Sequence, residues 1–391
     1  MSRKSALSAF CASNGILESA TRRIAGSTTQ RTFSSSAQRN AMLANFTPTS
    51  SPQLDELLST IRRDIILPAY LPTEQRKRLY SPKYAKKLES DPIIIEIDGE
   101  VIKFRYINVF KDILQTRRAV VNAITQFSTP QDFANLRPLL EGISYAGRKF
   151  DNGVYVKILR VMALKGRVSQ IIDCALNAAR TGFKLDSSEK VNEILHFIQM
   201  KAIDSAWDEA ITTKALRRAE VVLELMHEER HQPERNKNNP MLEGELPLYR
   251  DPMVLLAPLH LAAALAAQKE GAVDENLADK VNKYARDVVR LWPEGKKLSE
   301  VQPKALYGEE NGVMRYLLIP NKFVTLTVPL LHSLDTAIKV VEPELAQQLQ
   351  SRRDILATEI KEARIATKPT ENRGEAVYRK LYETEASSEN E

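Results

Sequence analysis

Apolar residues recur with helical spacing along most of the chain, from about residue 109 to about residue 365. Side chains at i, i+3, i+4 and i+7 share one face of an α-helix, so this pattern predicts amphipathic helices joined by short turns. The predicted pairs are Ala119–Phe127 with Gln131–Ala146, Val154–Lys165 with Val168–Arg180, Val254–Gln268 with Glu275–Trp292, and Phe323–Val340 with Glu342–Arg364. The sequence therefore predicts a mostly α fold.

A different pattern occupies residues 92–108. Two runs rich in isoleucine flank the dipeptide Asp98-Gly99, which favours a two-residue turn because both residues adopt positive φ readily. This segment is predicted to form a β-hairpin. It must pack against a neighbour, since an isolated hairpin is only marginally stable in water.

One short motif is repeated inside the helical region. Gly147-Arg-Lys-Phe-Asp151 recurs 35 residues later as Gly182-Phe-Lys-Leu-Asp186. Glycine at a helix end supplies the left-handed C-terminal residue, and aspartate can cap the start of the next helix. A fixed period of this length is typical of stacked helical hairpins, each of which buries an apolar face against the next.

On these residues the chain resembles the pentatricopeptide-repeat family of organellar RNA-binding proteins. Residues 153–187 resemble one full-length unit through Tyr155, the Gly166-Arg167 turn, Gly182 and Asp186. Leu185 stands where the family commonly has proline. Residues 118–152 resemble a unit more loosely, and a third begins at residue 188. The resemblance implies an α-solenoid of helical hairpins over residues 109–230.

The resemblance also allows a test of RNA-sequence reading. The family's base-reading positions correspond to Lys157 with Ser187 in the best unit and to Asn122 with Asn152 in the preceding one. Because each repeat reads about one base, two or three units cannot specify an RNA sequence. The repeats are therefore interpreted as a scaffold.

The N-terminus has the composition of a mitochondrial transit peptide. Residues 1–40 contain six Lys or Arg, one acidic residue (Glu18) and many Ser and Thr, and they lack the apolar core of a secretory signal. Arg31-Thr-Phe33 resembles a matrix-peptidase site, which predicts a transit peptide over residues 1–33 and localisation in the mitochondrial matrix. Removing those residues lowers the formal net charge from +6 to +2, so the high pI is no evidence for nucleic-acid binding.

Residues 34–91 are predicted to form a flexible N-terminal arm that is irregular and basic between Ile61 and Leu88. Prolines at 68, 72 and 82 interrupt any long helix. Lys and Arg neutralise phosphates and Tyr rings stack on bases, so this composition favours contact with RNA. An alternative is a solvated arm lying on its own domain. The candidate RNA-binding residues are Arg62, Arg63, Arg76, Lys77, Arg78, Lys83, Lys86, Lys87, Tyr80 and Tyr84.

One segment matches a zinc-protease motif. His227-Glu-Glu-Arg-His231 fits H-E-x-x-H, in which two histidines on one helix face bind zinc and the glutamate acts as base. Its inner positions are charged and Gln232-Pro233 follows at once, so a solvated helix end is the preferred interpretation.

The sequence contains no phosphate-binding loop, dinucleotide fingerprint or nucleophile elbow. It predicts no enzyme activity, no cofactor, no small-molecule substrate and no membrane span.

The remaining organisation is simple. Residues 231–252 are predicted to form a loop, residues 253–365 C-terminal helical hairpins, and residues 366–391 a polar, acidic tail that frays.

A transit peptide, a basic arm and a helical-repeat body resemble fungal mitochondria-specific ribosomal proteins. The leading hypothesis is therefore a structural, rRNA-contacting ribosomal protein with ribosomal-protein neighbours, favouring the small subunit. Alternatives are a free mitochondrial mRNA stability or translation factor of the pentatricopeptide type and, more remotely, a zinc metalloprotease.

Overall fold

Helices make up most of the chain, which confirms the mostly α fold predicted from the apolar spacing. The computed structural model describes residues 44–235, 240–268, 275–308, 312–367 and 372–383. The predicted transit peptide, residues 1–33, lies outside the described residues. The helices are α1 (Pro52–Ile61), α2 (Thr73–Tyr80), α3 (Ala85–Ser90), α4 (Thr116–Gln126), α5 (Pro130–Ala134), α6 (Leu136–Tyr145), α7 (Asn152–Leu164), α8 (Val168–Leu176), α9 (Ala178–Thr181), α10 (Ser188–Asp204), α11 (Glu209–His227), α12 (Pro252–Ala267), α13 (Glu275–Leu291), α14 (Ala305–Gly308), α15 (Pro320–Ile338), α16 (Pro343–Ala366) and α17 (Arg373–Tyr378).

The predicted β-hairpin is confirmed. Strands β1 (Ile93–Ile97) and β2 (Glu100–Phe104) pair antiparallel, with φ of 51° at Asp98 and 81° at Gly99 in the turn. One face of the hairpin covers a small hydrophobic cluster, the minor core, as a lone hairpin requires. The minor core consists of Leu67, Leu71, Leu79, Ile102, Phe104 and Ile107.

The repeated glycine motif forms the predicted helix ends. Gly147 and Gly182 have φ of 70° and 72°, which lie in the left-handed region. Asp151 caps α7 by accepting a hydrogen bond from the N–H of Val154 (2.9 Å). The equivalent prediction for Asp186 is wrong, because its carboxylate pairs with the buried ammonium of Lys190 instead of capping α10.

Packing between the helices is consistent with stacked hairpins up to α11. Helix α7 packs against α4, α8 and α10, so each pair contacts the next along the chain. Helix α10 also packs against α12 and α15 from the C-terminal half, and 13 of its 17 residues are buried. The body is therefore more enclosed at α10 than a chain of nearest-neighbour hairpins would be.

The segment after Pro52 differs from the predicted flexible arm. Leu54, Leu58 and Ile61 form one face of α1 and are fully buried in the large hydrophobic core that the helices of the body share. A π-helical turn (Arg62–Ile66) follows α1. Its residue Ile66 packs closely on Gly142 of α6, because a Cβ added to that glycine would lie only 2.6 Å from Cδ1 of Ile66. The spacing of these apolar residues, not the interleaved cations and prolines, determines the structure here.

The predicted fraying of the C-terminal tail is also wrong for residues 372–383. Val377 of α17 and Leu381 of the following π-helical turn (Arg379–Glu383) are buried, and α17 packs against α15. The Arg373 guanidinium lies 3.1 Å from the Glu193 carboxylate of α10, which is 2 % exposed. Apolar burial and this ion pair attach a polar sequence to the body.

Two distant histidines meet inside the body. His260 Nε2 of α12 lies 2.7 Å from His332 Nδ1 of α15, and the Gln199 side-chain amide donates to His260 Nδ1 (3.0 Å). The Trp207 ring packs on both imidazoles. The hydrogen bonds between these side chains are made by neutral imidazole rings. Protonating either ring would therefore place a positive charge in an apolar surrounding.

The buried histidines make stability sensitive to mild acid. Burial, together with nearby Arg373 for His196 and His332 for His260, lowers the pKa of both groups well below the usual value. Below pH about 6.5 the unfolded chain binds protons that the folded chain does not, so each histidine lowers the free energy of unfolding by up to about 1.4 kcal/mol per pH unit. Urea denaturation between pH 7 and 5.5 measures this slope.

A substitution assigns part of that slope to one residue. His196→Leu is expected to flatten the pH dependence of the unfolding free energy by up to about 1.4 kcal/mol per pH unit, with the full change reached near pH 5.5. His227→Leu is the control, since His227 is exposed. Equal slopes in the His196→Leu variant and the unmodified chain would contradict the expectation.

Candidate nucleic-acid interface

The basic residues of the predicted arm lie on a folded platform. Helices α2 and α3 are joined by a 3₁₀ turn (Pro82–Tyr84), and Leu79 and Leu88 point inward and are buried. The N–H of Ile107, just after the hairpin, donates to the carbonyl of Leu79 (3.1 Å). The minor core therefore fixes the backbone that carries the cations.

Positive charge is concentrated on this platform. Residues 73–88 contain six Lys or Arg and one acidic residue, Glu74. Glu74 lies 3.0 Å from Lys77, and both side chains are exposed, so their attraction contributes little stability. The other exposed cations form no ion pair within the described residues and keep their charge available to a polyanion. These are Arg78, Lys83, Lys86 and Lys87, which we call the basic face.

The remaining predicted cations are placed differently. Arg62 donates to the carbonyl of Ala44 (2.9 Å) and to the Glu100 carboxylate of β2 (3.1 Å), so its guanidinium joins the segment to the hairpin. Arg63 is exposed and lies 2.7 Å from Asp64. Arg76 is half-buried. Arg62 and Arg63 are ion-paired and Arg76 is half-buried, so these three are not counted in the basic face.

The two predicted tyrosines present only part of their rings. Tyr80 packs partly against the minor core, and burial raises the pKa of its hydroxyl while Arg148 and Arg76 oppose that change. Tyr84 is half-buried, with Lys83 Nζ 5.9 Å from its ring centroid. Both rings are therefore only partly available for stacking on a base.

Additional cations adjoin the hairpin and were not among the residues selected from the sequence. Lys103 of β2 and Arg105 just after it are exposed, whereas Ile102 and Phe104 are buried. Alternation along a strand places these two sets on opposite faces. That period-2 pattern is the signal that could have identified them.

The predicted base-reading positions are not all accessible to RNA. Asn122, Asn152 and Lys157 are exposed, but Ser187 is 7 % exposed. Next to it, the Ser188 hydroxyl lies 2.7 Å from the hydroxyl of Tyr316, a residue of the C-terminal half. A base cannot reach a side chain in this position, so the geometry supports a scaffold and not a sequence code.

The histidine motif lacks the helical geometry that a zinc site needs. Helix α11 ends at His227, four residues before His231. His227 is exposed beside Tyr249, but His231 is buried and its Nδ1 accepts a hydrogen bond from the N–H of Leu185 (2.9 Å). Within the part of the chain that the structure describes, no three His, Cys, Asp or Glu side chains converge as metal ligands would.

Zinc binding is directly testable. Because His227 and His231 do not share a helix face, we expect His227→Ala and Glu228→Gln to leave incorporation into ribosomal particles unchanged. Elemental analysis of the purified chain should find no stoichiometric zinc. One zinc per chain, lost on His231→Ala, would contradict this expectation.

A membrane-spanning role has no support in the described helices, none of which combines the length and apolar character needed to cross a bilayer.

Comparison with known proteins identifies the family of the chain. Residues 31–383 match the family described as mitochondrial ribosomal protein mS27. The small ribosomal subunit protein mS27 of Neurospora crassa is 36 % identical over 337 residues, which cover 82 % of this chain and 85 % of that protein. The family match extends through the basic face, the helical repeats and the C-terminal hairpins. The chain therefore belongs to the mitochondrial ribosomal protein mS27 family.

Proposed function

We propose that this chain is a non-catalytic, structural component of the small subunit of the mitochondrial ribosome, located in the matrix. The observation that carries the proposal is the family match over residues 31–383, supported by the N. crassa protein whose name places it in a small ribosomal subunit. The proposed partners are rRNA and neighbouring ribosomal proteins.

The basic face is the proposed rRNA contact. Arg78, Lys83, Lys86 and Lys87 are exposed, without ion pairs within the described residues, and held by a folded platform. The chain without residues 1–33 has a formal net charge of only +2, so these cations form a local concentration of positive charge. Phosphate contacts of this kind position a protein on RNA without reading its sequence.

A free mRNA factor of the pentatricopeptide type is less well supported. Such a factor needs several accessible base-reading pairs, yet Ser187 is buried and α10 is covered by α12 and α15. The helical body is better suited to hold its neighbours at fixed positions.

Sedimentation tests the proposal. In a mitochondrial lysate with Mg²⁺, the chain should sediment with the small subunit and with whole ribosomes, and EDTA should shift it from whole ribosomes to the small-subunit fraction. Peptide mapping of the same fractions should find an N-terminus near Ser34, as expected for matrix import. A chain that sediments as a free species would refute the ribosomal assignment, and recovery of intact residues 1–30 would refute transit-peptide removal.

A further inference from the structure

A turn between the hairpin and α4 presents an aromatic ring to solvent. Phe110 is 98 % exposed, the largest value among the large apolar side chains of the described residues. Its neighbour Val109 is also exposed, at 47 %. Water solvates an aromatic face poorly, so a fully exposed ring is available for a partner.

The turn is rigid. The Asn108 N–H donates to the Asp112 carboxylate (2.7 Å), and the Phe110 N–H donates to the Asn108 side-chain carbonyl (3.0 Å). On either side, Ile107 belongs to the minor core and Ile113 packs against both hydrophobic cores. The backbone is therefore preorganised, which lowers the entropy cost of binding through Phe110.

The surface around this turn is positively charged, which favours a polyanionic partner. Residues 103–118 contain five Lys or Arg and one acidic residue, Asp112, whose carboxylate is used inside the turn. Arg117 is paired with Asp151 (2.8 Å). The remaining cations are exposed and form no ion pair within the described residues: Lys103, Arg105, Lys111 and Arg118.

We propose that Phe110 stacks on an unpaired base of the small-subunit rRNA while the surrounding cations contact the adjacent phosphates. An exposed aromatic ring beside lysine and arginine matches single-stranded RNA, which offers a base face and a phosphate within one nucleotide. This inference rests on the proposed ribosomal function and adds a base contact to the phosphate contacts of the basic face.

Filter binding of the full chain to a transcript of the complete small-subunit rRNA tests the proposal. Phe110→Ala should weaken binding about 5- to 150-fold, the range measured for loss of one stacked base, and leave the salt dependence unchanged. Phe110→Trp should retain affinity, since indole also stacks. Lys111→Ala should instead reduce the salt slope by about 0.7 to 0.9.

A matched control separates stacking from general loss of apolar surface. Ile365 of α16 is 77 % exposed, and Ile365→Ala should leave binding unchanged. Both replaced side chains are solvent-exposed, so neither variant is expected to unfold. In purified small subunits, ultraviolet irradiation should attach a nucleotide to the peptide that contains Phe110.

The outcomes are distinguishable. If Phe110→Ala binds the transcript normally but enters the small subunit poorly, Phe110 docks on a protein and the stacking proposal is wrong. Normal binding together with normal incorporation would overturn it equally. If the unmodified chain neither binds the transcript nor sediments with the small subunit, the proposed function itself fails.

Discussion

Replacing Arg78, Lys86 and Lys87 together by alanine is expected to weaken binding of the full chain to small-subunit rRNA about 100-fold at 0.15 M salt. The three side chains are exposed and form no ion pair within the described residues, so each is available to a phosphate. Loss of three contacts should reduce the magnitude of the negative slope of log Kobs against log salt concentration by about 2 to 3. Filter binding from 0.05 to 0.3 M salt measures both quantities.

The control removes the same charge from another surface. Lys201 of α10 with Lys214 and Arg217 of α11 are exposed cations that also form no ion pair within the described residues. Their triple alanine variant should retain the original salt slope. Melting temperatures of both variants should stay close to the original, because exposed charges contribute little stability. An equal fall in slope for the two variants would show that net charge, not the basic face, controls RNA binding.

Local sequence patterns predicted the parts of the fold that depend on local chemistry. The Asp98-Gly99 turn and the left-handed Gly147 and Gly182 all have the expected positive φ. Each of these features requires a particular backbone conformation, which a few residues determine by themselves. The repeat period likewise predicted helix pairs, although α5 and α6 are separate at Asn135 where one helix was expected.

Features that depend on distant contacts were not predicted. Prolines and cations suggested a flexible segment after residue 34, but burial of Leu58 and Ile61 outweighs them. Arg373 belongs to a segment that the sequence predicted to be a fraying acidic tail, but it pairs with Glu193, which lies 180 residues away in the chain. The meeting of His260 with His332 has no local signal at all. Arg62 was selected with the other cations of the segment, but it pairs with Glu100 of the hairpin, a partner that no local pattern indicates.

The stability of the N-terminal segment depends on one buried carboxylate. Asp132 of α5 is fully buried and accepts hydrogen bonds from the N–H groups of Ser50 (2.9 Å), Ser128 (2.8 Å) and Thr129 (2.8 Å). The Ser50 hydroxyl also donates to it (2.8 Å). Burial alone would raise the pKa of Asp132, but these hydrogen bonds hold it well below its usual range. The carboxylate thus joins the chain ahead of α1 to the first helical pair.

Asp132→Asn is therefore expected to lower the free energy of unfolding by about 3 to 5 kcal/mol, even though it preserves shape. The new amide NH₂ would face donors that the carboxylate now satisfies, and buried donors without an acceptor cost about 1 to 3 kcal/mol each. Asp279→Ala, at an exposed position of α13, should change stability by less than about 0.5 kcal/mol. Urea denaturation at pH 7 measures both.

The pH dependence identifies the carboxylate charge as the cause of that loss. Because the folded pKa of Asp132 is depressed, its contribution is fully present above the unfolded pKa of about 3.9 and is lost as pH falls further. The difference in unfolding free energy between the unmodified chain and Asp132→Asn should therefore stay constant from pH 7 to pH 5 and narrow below pH about 4. A difference that remains constant down to pH 2.5 would assign the loss to packing and contradict the electrostatic explanation. In that case Asp132→Ala, which removes the same charge and more volume, would be much less stable than Asp132→Asn.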